Sequence, residues 1–323
     1  MSVRVGFVGV GGMAGGHLNI LRKFEDVQLA ALCDINEELL ARRRQEYAVE
    51  KVYTDYRAMF DAEELDAVYV VVPPFAHGEI EDHVAAKGCA LFVEKPVELF
   101  LDAAIRKHEA IAKVGVLSAA GYCVRYMDTV DILRERVSAH AVELALGYYM
   151  GGAPGGWWQQ RSKSGGQLVE QTTHIVDLAR YVVGDVAAVG GAFVRRTPLN
   201  DTADIENASI AHVYYENGAV GTITSACMLS QGYKTGLDLF AKDFLIEYTY
   251  GSMRVRTPQG SEDFRPANNM YEAEDRVFID AVKSADGSQI RSTYTDAVKS
   301  LEVSLLAYEA SQKRTVLETR FRP

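Results

Sequence analysis

The 323 residues exceed what one compact core usually organises, and at about 100 to 200 residues per domain they point to two domains. Hydrophobic residues make up 48% of the chain and charged residues 24%, a balance that supports a folded interior and leaves little room for long disorder. The formal charge of −10 argues against nucleic acid or anionic lipid as partners, because those surfaces reward a basic patch.

After Met1 the chain enters the strand-like run VRVGFV, with no basic-then-apolar leader and nowhere an apolar stretch of the ~18 residues a spanning helix needs. The expectation is a cytoplasmic protein without membrane contact. Apolar runs at Val3 to Val8, Val27 to Cys33, Ala67 to Val72, Leu91 to Val93 and Val116 to Gly121 alternate with helix-like stretches. Near-continuous apolar strands of this kind predict a parallel sheet covered by helices on both faces, so residues 1–121 read as a doubly wound α/β domain. Cys33, Cys89, Cys123 and Cys227 lie far apart with no C-x-x-C pair, and they read as reduced core residues.

The first strand is followed by Gly9-Val10-Gly11-Gly12-Met13-Ala14, a G-x-G-x-x-A form of the dinucleotide fingerprint. The first glycine allows the strand-to-helix turn, the second lets a pyrophosphate approach the backbone, and the small third residue lets the helix pack closely. Asp34 closes the second strand twenty positions after Ala14, where a carboxylate accepts both ribose hydroxyls and favours NAD over NADP, with NADP left open. The other reading of Asp34 is a cap for the helix beginning near Asn36.

Val72-Pro73-Pro74-Phe75-Ala76-His77 ends the fourth strand and Glu94-Lys95-Pro96 follows the fifth. Both stand at the carboxyl edge, where doubly wound sheets hold their ligands. Taken alone, Glu94-Lys95 reads first as a surface ion pair and His77 as a helix-start residue, and position is the only counterweight.

Beyond Arg125 the pattern changes. A run at Val142 to Tyr149, a glycine-rich loop at Gly151 to Gly156 and a helix over Gln167 to Val183 precede consecutive strands that extend through Arg256. Asn217-Gly218 joins the pair Ala208 to Tyr215 and Ala219 to Met228 as a hairpin, because both turn residues tolerate positive φ. Residues 122–323 therefore read as an α+β domain on an open, mostly antiparallel sheet, with tail helices over Met270 to Lys283 and Thr293 to Gln312. On a continuous helix from Gln167, Glu170, His174, Asp177 and Tyr181 share one stripe opposite Leu168, Thr172, Ile175, Val176, Ala179, Val182 and Val183. By pattern alone the polar stripe is a solvated face.

The glycine motif with His17 three residues beyond it, the Pro73/His77 loop, Glu94-Lys95-Pro96, Gly121-Tyr122-Cys123-Val124-Arg125-Tyr126, and Ser164-Gly165-Gly166-Gln167-Leu168 followed by His174 and Asp177 together resemble the Gfo/Idh/MocA oxidoreductases. The resemblance spans nearly the whole chain. It implies an N-terminal Rossmann domain binding NAD(P) through Gly9, Gly11, Gly12, Met13, Ala14, Asp34, Pro73, His77, Glu94 and Lys95, and a last helix (293–312) packed back on that domain. It also implies that the polar stripe faces the substrate, and that a hydride passes between the nicotinamide and a hydroxyl carbon of a sugar, cyclic polyol or derivative.

Histidine suits the proton transfer because its unperturbed pKa is near 6.5. His174 is therefore expected as general base, with Lys95 stabilising the alkoxide. Glu170 stands where sugar-oxidising members commonly carry Asp, and Gln167 replaces the third residue of a G-G-G run, so the role of Glu170 is the least secure. Tyr122, Arg125, Trp158 and Asp177 are the expected substrate contacts, with Tyr126, Trp157 and Arg161 nearby. Arg125 has an alternative partner in Asp128, and the tryptophans read equally as interface packing.

Two other activities fit the same motifs. One is glycoside hydrolysis through transient oxidation, and the other is an NAD-sensing regulator without turnover. No cysteine or histidine cluster has metal-ligand spacing, so no metal is expected. An exposed antiparallel sheet needs covering, so a homodimer or homotetramer through the C-terminal sheet is expected.

Overall fold

The computed structural model describes residues 2–323. The chain divides into two compact units: one runs to Cys123 and resumes over Asn269–Ala297, and the other comprises Val124–Asn268 and Val298–Pro323. The first crossing falls two residues past the expected boundary, but the N-terminal unit also recruits a second, distant segment. No helix among the described residues is long and apolar enough to cross a membrane.

The first unit contains β1 (Val3–Val8), α1 (Gly12–Leu21), β2 (Val27–Cys33), α2 (Glu37–Tyr47), β3 (Lys51–Tyr53), α3 (Tyr56–Ala62), β4 (Ala67–Val70), α4 (Ile80–Ala86), β5 (Ala90–Val93), α5 (Leu101–Val114) and β6 (Ser118–Ala120). Its six strands lie in the order β3-β2-β1-β4-β5-β6, and every pair is parallel. Every residue of β4 and β5 is buried, as two-sided helix cover requires. β3, which counting the Ala67 run as the fourth strand leaves room for, lies outside the apolar runs, because three residues at the sheet edge, pairing only with β2, carry too little apolar pattern to read. The strand order reverses between β1 and β4, which opens the ligand crevice of such sheets at their carboxyl ends.

The second unit contains α6 (Asp128–Ser138), β7 (Leu144–Met150), α7 (Arg161–Ser164), α8 (Gln167–Glu170), α9 (Thr173–Val183), β8 (Val186–Val194), β9 (Ala208–Tyr215), β10 (Val220–Ala226), β11 (Lys234–Ala241), β12 (Phe244–Thr249), β13 (Ser252–Thr257) and β14 (Gly260–Phe264). With β15 (Leu317–Glu318) they build a nine-stranded sheet in the order β14-β13-β12-β11-β7-β10-β9-β8-β15. Only β7 and β10 pair in parallel. The β9–β10 hairpin turns at Gly218, whose φ of +90° suits glycine.

One face of this sheet carries α9, which packs on β7 and β11. A Cβ on Gly147 of β7 would stand 2.7 Å from Ile175 Cγ2, so the missing side chain lets the helix settle close. On the other face the registers align Tyr214 with Val220 and Leu144, and Ile210 with Thr224 and Tyr148. Ile210, Tyr214 and Val220 are each more than 40% exposed.

Two helices complete the structure, α10 (Met270–Ser284) and α11 (Tyr294–Lys313). Asn269 caps α10 by accepting the Tyr271 N–H at 3.0 Å, and α10 packs on α1. Phe278 and Ile279 of α10 are fully buried in the core with Phe7, Leu18, Tyr69 and Phe92. Tyr69 stacks on Phe7 and Phe92 at 4.9 and 4.5 Å, and Phe278 meets the Tyr69 and Phe92 rings edge-on at 5.5 Å. Burial of each such ring is worth about 1.5–3 kcal/mol.

The helix that returns to the N-terminal unit is therefore α10. The last helix, expected to pack there, is divided: its first turn belongs to that unit, through the Tyr294 N–H to Ser118 Oγ and Thr295 Oγ1 to His108 Nδ1, and Val298 onward belongs to the other. Further along, the Ala307 carbonyl presses on β8 so closely that a Cβ on Gly191 would lie 2.0 Å from its oxygen. Gly191→Ala should accordingly destabilise the protein by about 2–3 kcal/mol, read as a fall in the urea midpoint; an unchanged midpoint would show that the helix is free to shift.

Candidate functional site

On the N-terminal unit the candidate residues gather at the carboxyl ends of β1, β2, β4 and β5. Gly9 has φ +88°, and a Cβ there would lie 2.2 Å from the Val71 carbonyl oxygen, so β1 must leave the sheet through glycine. Gly11 and Gly12 are bare for a different reason: a Cβ on either would meet nothing within 4 Å. α1 begins beneath them without a side-chain cap and without an acidic residue in its first turn. Its first N–H groups are thus left for an anion of the size of a pyrophosphate. Ala14 is fully buried against the core, while Met13 is 43% exposed.

Asp34 ties the loop to β2. Its Oδ2 accepts the Val10 N–H at 2.9 Å and its Oδ1 the Asn36 N–H at 2.9 Å. The cap of α2 is Asn36, which accepts the Leu39 N–H, so capping does not account for Asp34. Each Asp34 oxygen keeps a second lone pair for a hydroxyl. Arg43 holds the glycine loop from α2, donating to the carbonyls of Val10 at 3.1 Å and Gly11 at 3.3 Å.

Pro73 opens a short turn in which Ala76 N–H donates to its carbonyl at 2.8 Å. His77, expected at the cofactor edge, turns inward. It is 1% exposed, with Nδ1 on Glu81, and Lys107 bridges Glu81 and Glu98 at 2.9 and 2.8 Å. Glu94 is also buried: Oε1 meets His17 Nε2 at 3.1 Å and Oε2 accepts the Lys95 N–H at 3.0 Å. Of residues 91–99, eight are buried and Lys95 alone is half-exposed. His17 Nδ1 meets Asp275 Oδ1 at 2.8 Å, and Tyr69 OH donates to the same oxygen at 3.1 Å. Burial by itself would lower the His17 pKa, but Asp275 and then Glu94 outweigh it and hold the value well above 6.5. Burial raises Asp275 as well, so the pair keeps its proton at neutral pH.

Tyr122, expected to touch substrate, is buried at the end of this unit. The remaining candidates lie on the second unit. The helix expected over Gln167 to Val183 is interrupted after Glu170, and α9 starts at Thr173. The Thr172 N–H reaches back five residues to the Gln167 carbonyl at 3.0 Å, a widened turn that shifts the phase between Glu170 and His174. β-branched Thr172 and Thr173, both buried, sit at the break. Glu170 is buried, whereas His174 is half-exposed among buried Thr173, Ile175, Val176 and Asp177. The single polar stripe is therefore corrected to two phases.

Arg125 and Asp177 bond each other. Arg125 donates from Nε at 2.7 Å and from Nη2 at 2.6 Å to the two carboxylate oxygens, and both side chains are at most 3% exposed. Ser300 Oγ donates to Asp177 Oδ1 at 2.9 Å, and the Arg125 guanidinium lies 4.4 Å over the Tyr181 ring. The alternative partner, Asp128, accepts the N–H groups of Thr129 and Ala267 instead. Trp158 stacks on Trp157 at 4.7 Å, and both are half-buried.

The Gly165–Gly166 turn before Glu170 is held by a pair the sequence did not reveal. Arg161 donates to the Gly165 carbonyl at 2.9 Å and pairs with Glu206, whose Oε1 accepts the Leu168 N–H at 3.2 Å. Gly166 has φ +97°, and a Cβ there would lie 2.7 Å from Glu206 Oε2. Glu206 and Asp275 had no local motif to mark them, and Arg43 sat in an Arg-rich run that reads as a solvated face.

Residues 3–122 match the family model described as "Oxidoreductase family, NAD-binding Rossmann fold", and residues 138–254 match "GFO/IDH/MocA C-terminal domain". Among similar proteins, myo-inositol 2-dehydrogenase of Thermotoga maritima is 27% identical over 74% of this chain and 72% of its own length. The scyllo-inositol 2-dehydrogenase (NAD(+)) of Bacillus subtilis is 24% identical over 94% of this chain and 93% of its own. A solved levoglucosan dehydrogenase in complex with NADH superposes with a TM-score of 0.90 at 18% identity, covering 98% of this chain and 99% of that one.

Removing one member of a buried ion pair strands the other. Asp177→Ala should therefore cost about 3–5 kcal/mol, measured by denaturant unfolding. A loss below about 1 kcal/mol would mean that water reaches Arg125 and the pair is not sealed.

Proposed function

The chain belongs to the Gfo/Idh/MocA family of NAD-binding oxidoreductases, and from that premise we propose that it moves a hydride between the nicotinamide and a hydroxyl carbon of a sugar, cyclic polyol or close derivative. The observation that carries this reading is Lys95: one half-exposed lysine in a buried nine-residue stretch at the carboxyl edge of the cofactor-binding sheet. The relatives named as inositol dehydrogenases support the substrate class.

NAD, when bound, supplies the hydride acceptor at its nicotinamide. Gly11, Gly12 and Met13 leave the first turn of α1 open to the pyrophosphate, with Gly9 and Ala14 shaping the turn and its packing. Asp34 accepts the ribose hydroxyls and sets the preference for NAD. Pro73 stands at the same edge, while buried His77 and Glu94 brace the loops from within. His174 accepts the hydroxyl proton during oxidation and returns it during reduction. The Lys95 ammonium stabilises the charge that develops on a hydroxyl oxygen as its proton leaves. Glu170 orients the His174 segment, and Trp158 offers a flat apolar ring to a sugar face.

The first test is absorbance at 340 nm with NAD and a panel containing myo-inositol, scyllo-inositol, levoglucosan and common aldoses. NADH should form with at least one of them, and Lys95→Ala and His174→Ala should each lower kcat by about 100-fold or more, with NAD affinity in His174→Ala staying within about threefold. Folded Lys95→Ala retaining more than a tenth of the activity would remove the lysine from the mechanism. In calorimetry, Asp34→Ala should weaken NAD binding by at least about tenfold.

We also propose a homodimer or homotetramer that covers the apolar face around Ile210, Tyr214 and Val220. Ile210→Lys with Tyr214→Lys should lower the sedimenting mass towards that of one chain; a wild type that already sediments as one chain would end this reading.

A further inference from the structure

Hydride transfer gives the buried His17 no task. His17 of α1 is 1% exposed, yet both of its ring nitrogens face carboxylate oxygens, Nδ1 towards Asp275 at 2.8 Å and Nε2 towards Glu94 at 3.1 Å. A neutral imidazole carries one N–H and one bare lone pair. With both carboxylates ionised, that lone pair would oppose an oxygen on one side, so the arrangement requires a further proton. The raised His17 pKa agrees with an imidazolium.

The partners of this imidazolium are fixed in turn. Asp275 stands on α10 and accepts from Tyr69 OH of β4. Glu94 is packed beneath Gly121, where a Cβ would come within 2.7 Å of its carboxyl carbon. Its second oxygen accepts the backbone N–H of the next residue, Lys95, at 3.0 Å. Tyr271 of α10 meets the His17 ring edge-on, and Phe92 of β5 does so at 5.0 Å. The ionisable groups in and around this cluster are Asp275, Tyr271, Glu274 and Arg276 from α10, Tyr69 from β4, Glu94 at the end of β5 and Cys123 beyond β6.

We propose that His17 is a positioning residue for Lys95: a charged histidine on the cofactor helix, anchored to α10 by Asp275, holds the Glu94 carboxylate and through it the backbone that presents the Lys95 ammonium. The Glu94 carboxylate and the proton that His17 shares with Asp275 place opposite charges beside this backbone. The cluster therefore also sets the field in which the Lys95 amine titrates. Its bearing on catalysis rests on the reading of Lys95 given above, but the positioning itself does not.

The test uses the full chain and needs no substrate. In wild type, His17→Gln and Glu94→Gln, with folding checked by circular dichroism, two quantities are read at Lys95. One is the hydrogen exchange rate of its amide. The other is the pH midpoint of its acetylation by acetic anhydride, normalised to exposed Lys113.

Both substitutions should speed amide exchange at least tenfold. His17→Gln, which removes a cation, should raise the acetylation midpoint by about half a pH unit or more, whereas Glu94→Gln, which removes an anion, should lower it. Opposite shifts from two neighbouring substitutions are what a purely packing role cannot produce. Exchange within twofold of wild type, or faster exchange with an unmoved midpoint, would falsify the proposal and leave His17 as core packing. If His17→Gln does not fold, Glu94→Gln decides by its own exchange rate and downward shift. Because neither quantity depends on turnover, a silent oxidation panel would undo the catalytic reading of Lys95 and leave this result standing.

Discussion

Charge taken out of water must be neutralised where it lies, and the candidate residues His77, Glu94, Arg125 and Asp177 take their places under that constraint. Glu94 and Asp275 enclose His17, Glu81 gathers His77 and Lys107, Asp177 closes on Arg125, and Glu206 on Arg161. Each pair or cluster ties together segments distant in sequence or stiffens a loop beside a candidate group. Such pairs add little to net stability over an apolar core of similar shape. Their contribution is geometric, since a paired buried charge tolerates few arrangements.

The two polar side chains given the chemistry stand out against that background. Lys95 and His174 are half-exposed within buried stretches, each carried by a segment with buried anchors. Lys95 follows directly on Glu94, and His174 lies three residues before Asp177 in the first turn of α9. Glycine supports both arrangements by absence: Gly121 makes room for the Glu94 carboxylate, and Gly147 lets Ile175 seat α9 on the sheet. Rigid supports of this kind keep reacting groups within the tolerance that proton and hydride transfer demand.

The widened turn at Gln171–Thr172 has a related consequence. A regular helix would place Glu170 one turn from His174 on the same face. The five-residue hydrogen bond at Thr172 breaks that relation, and Glu170 is buried while His174 is half-buried. Periodicity assumed a constant 3.6 residues per turn, and a single inserted residue was enough to spoil it.

The sequence by itself determined the architecture and which candidate residues stand at the carboxyl edge of the first sheet. Near-continuous apolar strands, a glycine motif opening a helix, Asp34 ending the next strand and a Gly218 hairpin are local signals, and local backbone chemistry dictates them. They identified both sheets and placed Lys95 at a carboxyl edge. The tertiary structure alone decided which polar residues face inward. Arg125 with Asp177, His77 with Glu81 and Glu94 with His17 read as ligand contacts or surface groups until their partners are known. The partners can lie far along the chain: Asp275 is 258 residues from His17. It also decided that α10 supplies the returning core residues Phe278 and Ile279. Amphipathic helices advertise that a face is buried but not against what, because the hydrophobic effect is non-directional. Only the folded chain selects among the surfaces that satisfy it.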